Sequence, residues 1–132
     1  MGTTSLRAGA VLFVDDQKPL VDIGKQMLER LGYKVTTRTS STEALEAFRA
    51  QPEKFDLVIT DRTMPNMTGE MLVKELMHIR PDIPVILCTG YSEIPSEEKP
   101  GALGIREVLR KPVVNRELAQ AIRRVLDKSN GE

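Results

Sequence analysis

The chain has 132 residues, of which 40% are hydrophobic and 29% charged, and its 19 basic and 19 acidic side chains balance. This composition is typical of one globular domain with a real core, and the lack of a basic excess argues against nucleic acid or an anionic membrane as a direct partner. No apolar run is long enough to span a bilayer and the polar start lacks a signal segment, so we expect a cytoplasmic protein.

The first predicted strand is the continuous apolar run over residues 10–14. Pro19 suits the first turn of the helix that follows, and Gly32 supplies its stop. Residues 33–37 are again strand-like. Between the two strands, apolar residues recur at helical spacing. This spacing predicts a helix whose inner face consists of Leu20, Ile23, Met27, Leu28 and Leu31.

The next helix and strand have clear signals. Ser40 and Glu43 match a capping box at the start of the second helix. The apolar and β-branched run over residues 57–60 is typical of a strand buried on both faces, and Asp61 follows it directly. A third helix is closed by Pro81, and its spacing predicts an inner face made of Leu72, Leu76 and Ile79.

The last third of the chain contains two more predicted strands, over residues 84–88 and 107–110. Cys88 lies in the first of them, so we expect a buried, structural thiol. Residues 91–104 are rich in proline and glycine and are expected to be the loosest segment. Asn115 is a suitable cap for the last helix, whose predicted inner face is Leu118, Ile122, Val125 and Leu126.

Five strands that alternate with helices through short connections predict an α/β fold, in which helices cover both faces of a parallel sheet. We expect this single domain to extend over residues 10–128, with a flexible linker or cloning remnant over 1–9 and a tail over 129–132. Right-handed crossovers then bring the carboxyl ends of all strands to one edge of the sheet.

Polar side chains follow four of the predicted strands: Asp15 and Asp16 the first, Asp61 the third, Thr89 the fourth and Lys111 the fifth. Carboxylates about 4 Å apart repel by on the order of 4 kcal/mol per pair at an effective dielectric of 20, so a cation is needed among them. Mg²⁺ is the natural candidate, with Mn²⁺ as an alternative, because it takes oxygen ligands and usually keeps several waters.

Asp61 has two interpretations. Alone it would equally well begin a turn, since ordinary turn residues follow it, namely Pro65, Asn66 and Gly69. Together with the neighbouring strand ends it forms a site in which Lys111 and a metal neutralise a phosphoryl group, while Thr89 hydrogen-bonds its oxygens. The pattern therefore predicts an aspartyl-phosphate site with a carboxylate as nucleophile.

Several short segments resemble the motifs of the receiver domains of two-component response regulators. They occur at strand ends in the family's order and are Val14-Asp15-Asp16, Thr60-Asp61-Arg62-Thr63-Met64-Pro65 with Gly69, Cys88-Thr89-Gly90 and Arg110-Lys111-Pro112. The resemblance runs in register from about Ala10 to Lys128. It implies a flavodoxin-like (βα)5 domain with strand order 2-1-3-4-5 and a role in phosphorelay signal transduction.

The resemblance also implies a role for the acidic residues. Asp61 is the phosphoacceptor, taking the group from a phosphohistidine of a histidine kinase or histidine phosphotransfer protein. Asp16 binds Mg²⁺ directly and Asp15 acts largely through water. The carboxylate of Asp61 and the backbone carbonyl of Thr63 complete the protein ligands.

Two further site residues have roles that the resemblance implies. Lys111 pairs with Asp61 before transfer and with the phosphoryl group afterwards, and Pro112 aims it. Thr89 moves toward the phosphoryl group and carries the switch. The same site slowly hydrolyses its product, so we expect a signalling phosphoacceptor that catalyses its own phosphorylation and dephosphorylation.

One residue departs from the family's pattern. Val108 stands three places before the lysine, where many receivers have an aromatic residue that changes rotamer with the threonine. We therefore expect phosphorylation to alter residues 91–104 instead. Other segments resemble the receivers of hybrid sensor histidine kinases, so we expect either such a receiver or a stand-alone regulator, as a monomer or a weak phosphorylation-dependent dimer.

Two other classes of protein share parts of this pattern. A small phosphohydrolase of the dehalogenase type would also use Asp61 as nucleophile, but such enzymes carry a second aspartate where this chain has Thr63. A flavodoxin-like binding module would have the same architecture. Its first loop must accept a flavin phosphate, however, which Asp15 and Asp16 would repel.

Overall fold

A five-stranded parallel sheet organises the protein. The computed structural model describes residues 9–90, 104–111, 113 and 115–131, and all statements below refer to these residues. Within them the strands are β1 (Ala10–Val14), β2 (Lys34–Arg38), β3 (Leu57–Asp61), β4 (Val85–Thr89) and β5 (Glu107–Arg110). The helices of the same residues are α1 (Lys18–Arg30), α2 (Ser41–Ala50), α3 (Gly69–Ile79) and α4 (Asn115–Gly131).

The strand order is β2-β1-β3-β4-β5, and every neighbouring pair is parallel. This confirms the predicted fold class and order. In the register of the central strands, Val14 lies opposite Thr60, and Asp61 lies opposite Cys88. Because the strands are parallel and in step, their carboxyl ends form one continuous edge.

Most element ends follow from local sequence. The hydroxyl of Ser40 accepts the amide N–H of Glu43 at 3.1 Å, which confirms the predicted cap of α2. Gly32, just past α1, has a φ of 98°, a left-handed conformation that costs glycine little. Strand β3 extends one residue further than predicted, so Asp61 is its last residue rather than the first of the following loop.

The hydrophobic core lies in two layers, one on each face of the sheet. One layer contains residues of β1, β3 and β4 together with helices α2 and α3, including the stacked rings of Phe48 and Phe55. The other contains the opposite sides of the same strands with α1 and α4, including Leu28, Leu118 and Ile122. Cys88 is buried in this second layer, as predicted. Burial raises the pKa of its thiol to about 12.

The predicted inner face of α1 is partly wrong. Ile23 and Leu31 are 54% and 42% exposed, whereas Gly24 and Leu28 are buried. The reason is that α1 lies against the ring of Phe13 at Gly24, where a Cβ atom would overlap that ring. The helix therefore turns its smallest residue toward the sheet and leaves Ile23 in solvent.

Two expectations concern the later part of the chain. Residues 91–103 of the expected loose segment lie outside the described residues, as does Pro112. Helix α4 begins at Asn115 itself rather than after it, and its predicted inner residues Leu118, Ile122 and Val125 are buried. Among the described helices, none combines the length and apolar character needed to cross a membrane.

Candidate functional site

The polar residues that were predicted to lie at the carboxyl edge of the sheet are found there. Asp15 follows β1, Asp61 ends β3, Thr89 ends β4 and Lys111 follows β5. The amide N–H of Lys111 donates to the carbonyl of Thr89 at 2.8 Å, which extends the β4–β5 pairing beyond the last strand residue. The backbone thus fixes the point from which the lysine side chain starts.

Lys111 joins two of the carboxylates. Its Nζ lies 3.0 Å from Oδ2 of Asp15 and 3.0 Å from Oδ1 of Asp61. Both aspartates are buried, with exposed fractions of 3% and 5%. At this burial the attraction between the shared ammonium and the two carboxylates is screened less by solvent than in a surface ion pair, but the charges also lose hydration.

The first loop after β1 is also held in place. Oδ1 of Asp15 accepts the amide N–H of Gln17 at 2.9 Å, while its other oxygen faces Lys111. Asp16, by contrast, is exposed. The three aspartates nonetheless bring one carboxylate oxygen each to within 4.8 Å of one another.

This donor set fits a magnesium ion. Carboxylate oxygens are the hard ligands that Mg²⁺ prefers, and an exposed member such as Asp16 leaves room for the waters that the ion retains. Counting these residues alone, three negative charges face the single positive charge of Lys111. The cluster therefore has an acidic excess that a divalent cation would offset.

The pKa values of the pair reflect this arrangement. Burial, together with the charges of Asp15 and Asp16, raises the pKa of Asp61 above the usual carboxyl range, although the hydrogen bond from Lys111 acts in the opposite direction. Burial alone would lower the pKa of Lys111, but its hydrogen bonds to Asp15 and Asp61 outweigh that effect and raise it. The lysine is therefore firmly charged. Ionisation of Asp61 lowers the stability of the folded protein.

A cavity of about 490 Å³ opens beside the charged cluster, between α1, α4 and the sheet. Its walls are mostly apolar and include Phe13, Leu20, Ile23 and Met27. Asp15, Asp61 and Lys111 also line it, so it leads directly to the carboxylates. The cavity could not be predicted from the sequence, because it depends on how α1 and α4 pack against the sheet.

Two further predicted site residues are Thr89 and Thr63. Thr89 is buried, with 5% of its surface exposed, at the end of the strand next to Asp61. Thr63 lies two residues after Asp61, and its side chain is exposed. Thr89 therefore lies at the carboxyl edge of the sheet, whereas the role of the Thr63 carbonyl stays a prediction.

One ion pair near the site was missed by the sequence analysis. Nε of Arg62 lies 2.6 Å from Oε2 of Glu70, with both side chains only about one quarter exposed, at 23% and 22%. The partners are separated by a loop and belong to no common helical face. Periodicity therefore gives no signal for such a pair.

Comparison with known proteins gives a consistent result. The profile of the family described as "Response regulator receiver domain" matches residues 11–123. The chain is 34% identical over 121 residues to the C4-dicarboxylate transport transcriptional regulatory protein DctD of Rhizobium meliloti, and 39% identical over 119 residues to the two-component response regulator ARR10 of Arabidopsis thaliana. These alignments cover 92% and 90% of this chain but only 26% and 21% of the relatives.

Solved structures with the same architecture agree. A response regulator receiver domain protein of Clostridium thermocellum superposes with a TM-score of 0.86 at 33% identity, covering 91% of this chain and 95% of that one. The chemotaxis protein CheY4 of Vibrio cholerae gives a TM-score of 0.80 at 30% identity, covering 89% and 98%. The chain is thus similar to whole receiver domains and to one part of longer regulators.

Proposed function

The chain belongs to the response regulator receiver domain family, and we propose that it accepts a phosphoryl group on Asp61 from a phosphohistidine of a partner protein. The observation that carries this proposal is the position of Asp61. It is a buried carboxylate at the end of a central strand, 3.0 Å from the ammonium of Lys111 and beside two further aspartates. Neither the hydrolase nor the flavin-binding alternative has support among the relatives described above.

Asp61 is the proposed nucleophile. An oxygen of its carboxylate attacks phosphorus, one P–O bond forms, and the P–N bond to the partner's imidazole breaks with both electrons going to nitrogen. The step needs no oxidant or reductant. Rigid placement on a strand end supports it, because the reacting oxygen is held still while solvent-side access remains.

Lys111 has two proposed tasks. Before transfer it keeps Asp61 ionised and in place through the 3.0 Å contact. During transfer its charge stabilises the negative charge that gathers on the phosphoryl oxygens. Its second contact with Asp15 keeps the ammonium at this position when the electron density on Asp61 decreases.

Asp15, Asp16, Asp61 and the backbone carbonyl of Thr63 are the groups proposed to hold Mg²⁺. When bound, the ion supplies positive charge against the repulsion between the incoming phosphoryl group and the carboxylates. Asp15 orients the first loop through its bond to the Gln17 amide, so the two acidic residues after β1 stay at the edge. The acidic excess of the cluster supports this assignment.

Thr89 is the proposed switch residue. Its hydroxyl lies at the end of the strand paired with that of Asp61, from where it can donate to a phosphoryl oxygen. Val108, which is 38% exposed on β5, offers no ring to report that movement. We therefore propose that phosphorylation is read out through residues 91–104, and that the domain is a monomer or a weak phosphorylation-dependent dimer.

The phosphohistidine partner is proposed to dock at the rim of the cavity beside Asp61. Ile23 is an exposed apolar residue on this rim, and Leu20 and Met27 lie next to it on the same helix. An apolar patch continuous with the reacting carboxylate lets binding and chemistry occur at one surface. A histidine kinase or histidine phosphotransfer protein is the class of partner that receiver domains use.

The central test is incubation with acetyl phosphate and Mg²⁺, followed by intact-mass measurement. We expect the wild-type protein to gain one phosphoryl group and Asp61→Asn to gain none. Asp82→Asn is the matched control, since Asp82 is an exposed aspartate before β4, at the opposite edge of the sheet, and should be phosphorylated like the wild type. A wild-type protein that stays unmodified, or an Asp61→Asn variant modified equally well, would refute the proposal.

A further inference from the structure

The loop between β3 and α3, residues 62–68, is fastened at several points. At its base, the amide N–H of Gly69 donates to the carbonyl of Arg62 at 2.8 Å. Along its length, Met64 is buried in the core, and the hydroxyl of Ser41 donates to the carbonyl of Met67 at 2.7 Å. Thr63 lies between the base and the buried methionine.

The base of the loop is also closely packed. A Cβ atom at Gly69 would overlap the carbonyl oxygen of Asp61 and lie 2.9 Å from the Cα of Arg62. Helix α3 therefore begins in direct contact with the backbone at the end of β3. A small displacement of this first turn would move the backbone at Asp61 and Arg62.

The ion pair between Arg62 and Glu70 spans this contact. Arg62 is the residue directly after Asp61, and Glu70 lies in the first turn of α3. Their charged atoms are 2.6 Å apart and mostly shielded from solvent. Glu70 also faces the amino end of the helix, where a negative charge is favoured, so the carboxylate has two reasons to stay in place.

We infer that Arg62 and Glu70 are positioning residues for the metal site, because their ion pair fixes the backbone carbonyl of Thr63. Arg62 anchors the chain just before Thr63 and Met64 anchors it just after, so the peptide between them has little freedom. Mg²⁺ demands near-ideal octahedral ligand geometry, which makes its affinity sensitive to the direction of a carbonyl ligand. The inference rests on the proposed function of the acidic cluster.

Groups that orient metal ligands without touching the metal typically change affinity by about 10-fold or more when removed. We therefore expect Arg62→Met and Glu70→Gln each to weaken Mg²⁺ binding about 10-fold, as measured by isothermal titration calorimetry on unphosphorylated protein. The double variant should be no weaker than either single one, because the same contact is lost. Arg62→Lys, which keeps a charged partner for Glu70, should recover most of the affinity.

Arg124→Met is the matched control. Arg124 forms a comparable pair with Glu107, at 3.1 Å, which joins α4 to β5 rather than the β3–α3 loop. The substitution Arg124→Met removes an arginine–glutamate contact outside this loop, so Mg²⁺ affinity should stay at the wild-type value. Amide hydrogen exchange without metal gives a second readout, in which residues 62–64 should exchange faster in Arg62→Met than in Arg124→Met.

The outcomes separate this inference from the proposed function. Wild-type Mg²⁺ affinity in Arg62→Met and Glu70→Gln would overturn the positioning role and leave phosphorylation of Asp61 intact. If Arg62→Met does not fold, Glu70→Gln decides the question, since it removes only one charge from a partly exposed side chain. A wild-type protein that binds no Mg²⁺ and gains no phosphoryl group would instead overturn the proposed function itself.

Discussion

The two edges of the sheet hold charged residues in opposite ways. At the amino edge, the guanidinium of Arg80 donates to the carbonyls of Pro52 and Phe55 and pairs with the carboxylate of Asp82 at 3.2 Å. At the carboxyl edge, Lys111 is shared by two buried aspartates, with a third nearby. Arg80 at the amino edge is paired with groups of the protein itself, whereas the aspartates at the carboxyl edge carry more negative charge than Lys111 neutralises.

This difference distinguishes a structural charge from a functional one. Arg80 stabilises the fold because its guanidinium supplies donors to the partly buried backbone carbonyls of Pro52 and Phe55. Asp61 instead carries a raised pKa, caused first by burial and then by its acidic neighbours. A divalent cation would offset the acidic excess of the cluster, as expected if Asp61 belongs to the proposed metal site.

Removing the charge of Lys111 should have the largest effect on the rate of phosphorylation. Lys111→Met leaves Asp61 without its counter-charge, and we expect the rate of phosphorylation by acetyl phosphate to fall at least about 100-fold. Intact-mass time courses measure the rate. Lys74→Met, on the exposed side of α3, is the control and should react like the wild type. A Lys111→Met protein within a few-fold of the wild-type rate would contradict the role of this charge.

A substitution at the amino edge should lower the stability of the fold rather than the rate of phosphorylation. Arg80→Met leaves the carbonyls of Pro52 and Phe55 without their donor, and we expect a loss of about 3 kcal/mol in the free energy of unfolding, measured with urea. Phosphorylation of the folded fraction should proceed at the wild-type rate. A large loss of rate with unchanged stability would break the distinction between the two edges.

Recognition at the carboxyl edge can be separated from chemistry. Ile23→Glu places a charge on the exposed rim of the cavity. We expect the rate of phosphoryl transfer from a phosphorylated histidine phosphotransfer protein to fall about 10-fold, or about 1.4 kcal/mol. Acetyl phosphate, which needs no docking surface, should react as before. Met71→Glu is the control, since Met71 is also half exposed but lies on α3. Equal effects of the two substitutions would exclude a docking role for the rim.

The smallest expected effect is a pH dependence of stability. Because the pKa of Asp61 is raised by folding, the folded state keeps a proton over a window that begins near the ordinary carboxyl pKa of about 4 and ends at the raised value. Stability without metal should therefore fall as pH rises through this window, and should fall less in Asp61→Asn. Urea unfolding at a series of pH values, with Asp22→Asn as control, measures the slope. An unchanged slope in Asp61→Asn would show that its carboxylate does not strain the fold.

Much of the fold and site could be predicted because the relevant signals are local. The short apolar runs, the cap at Ser40 and the stop at Gly32 each depend on residues next to one another. Once the alternation of strands and helices predicted a parallel sheet, the carboxyl ends of the strands had to meet. Asp15, Asp61 and Lys111 were therefore expected together before any distance was known.

The tertiary structure decided what depends on how elements approach each other. The inner face of α1 is set by the ring of Phe13 against Gly24, and this contact leaves Ile23 in solvent. The cavity beside Asp61 and the pair of Arg62 with Glu70 likewise arise from packing between separate elements. Sequence by itself determined which side chains lie at the carboxyl edge, since hydrophobic periodicity predicts the parallel sheet and the family resemblance implies its strand order. Close packing determined the shape of that edge, because contacts between distant residues leave no period in the chain.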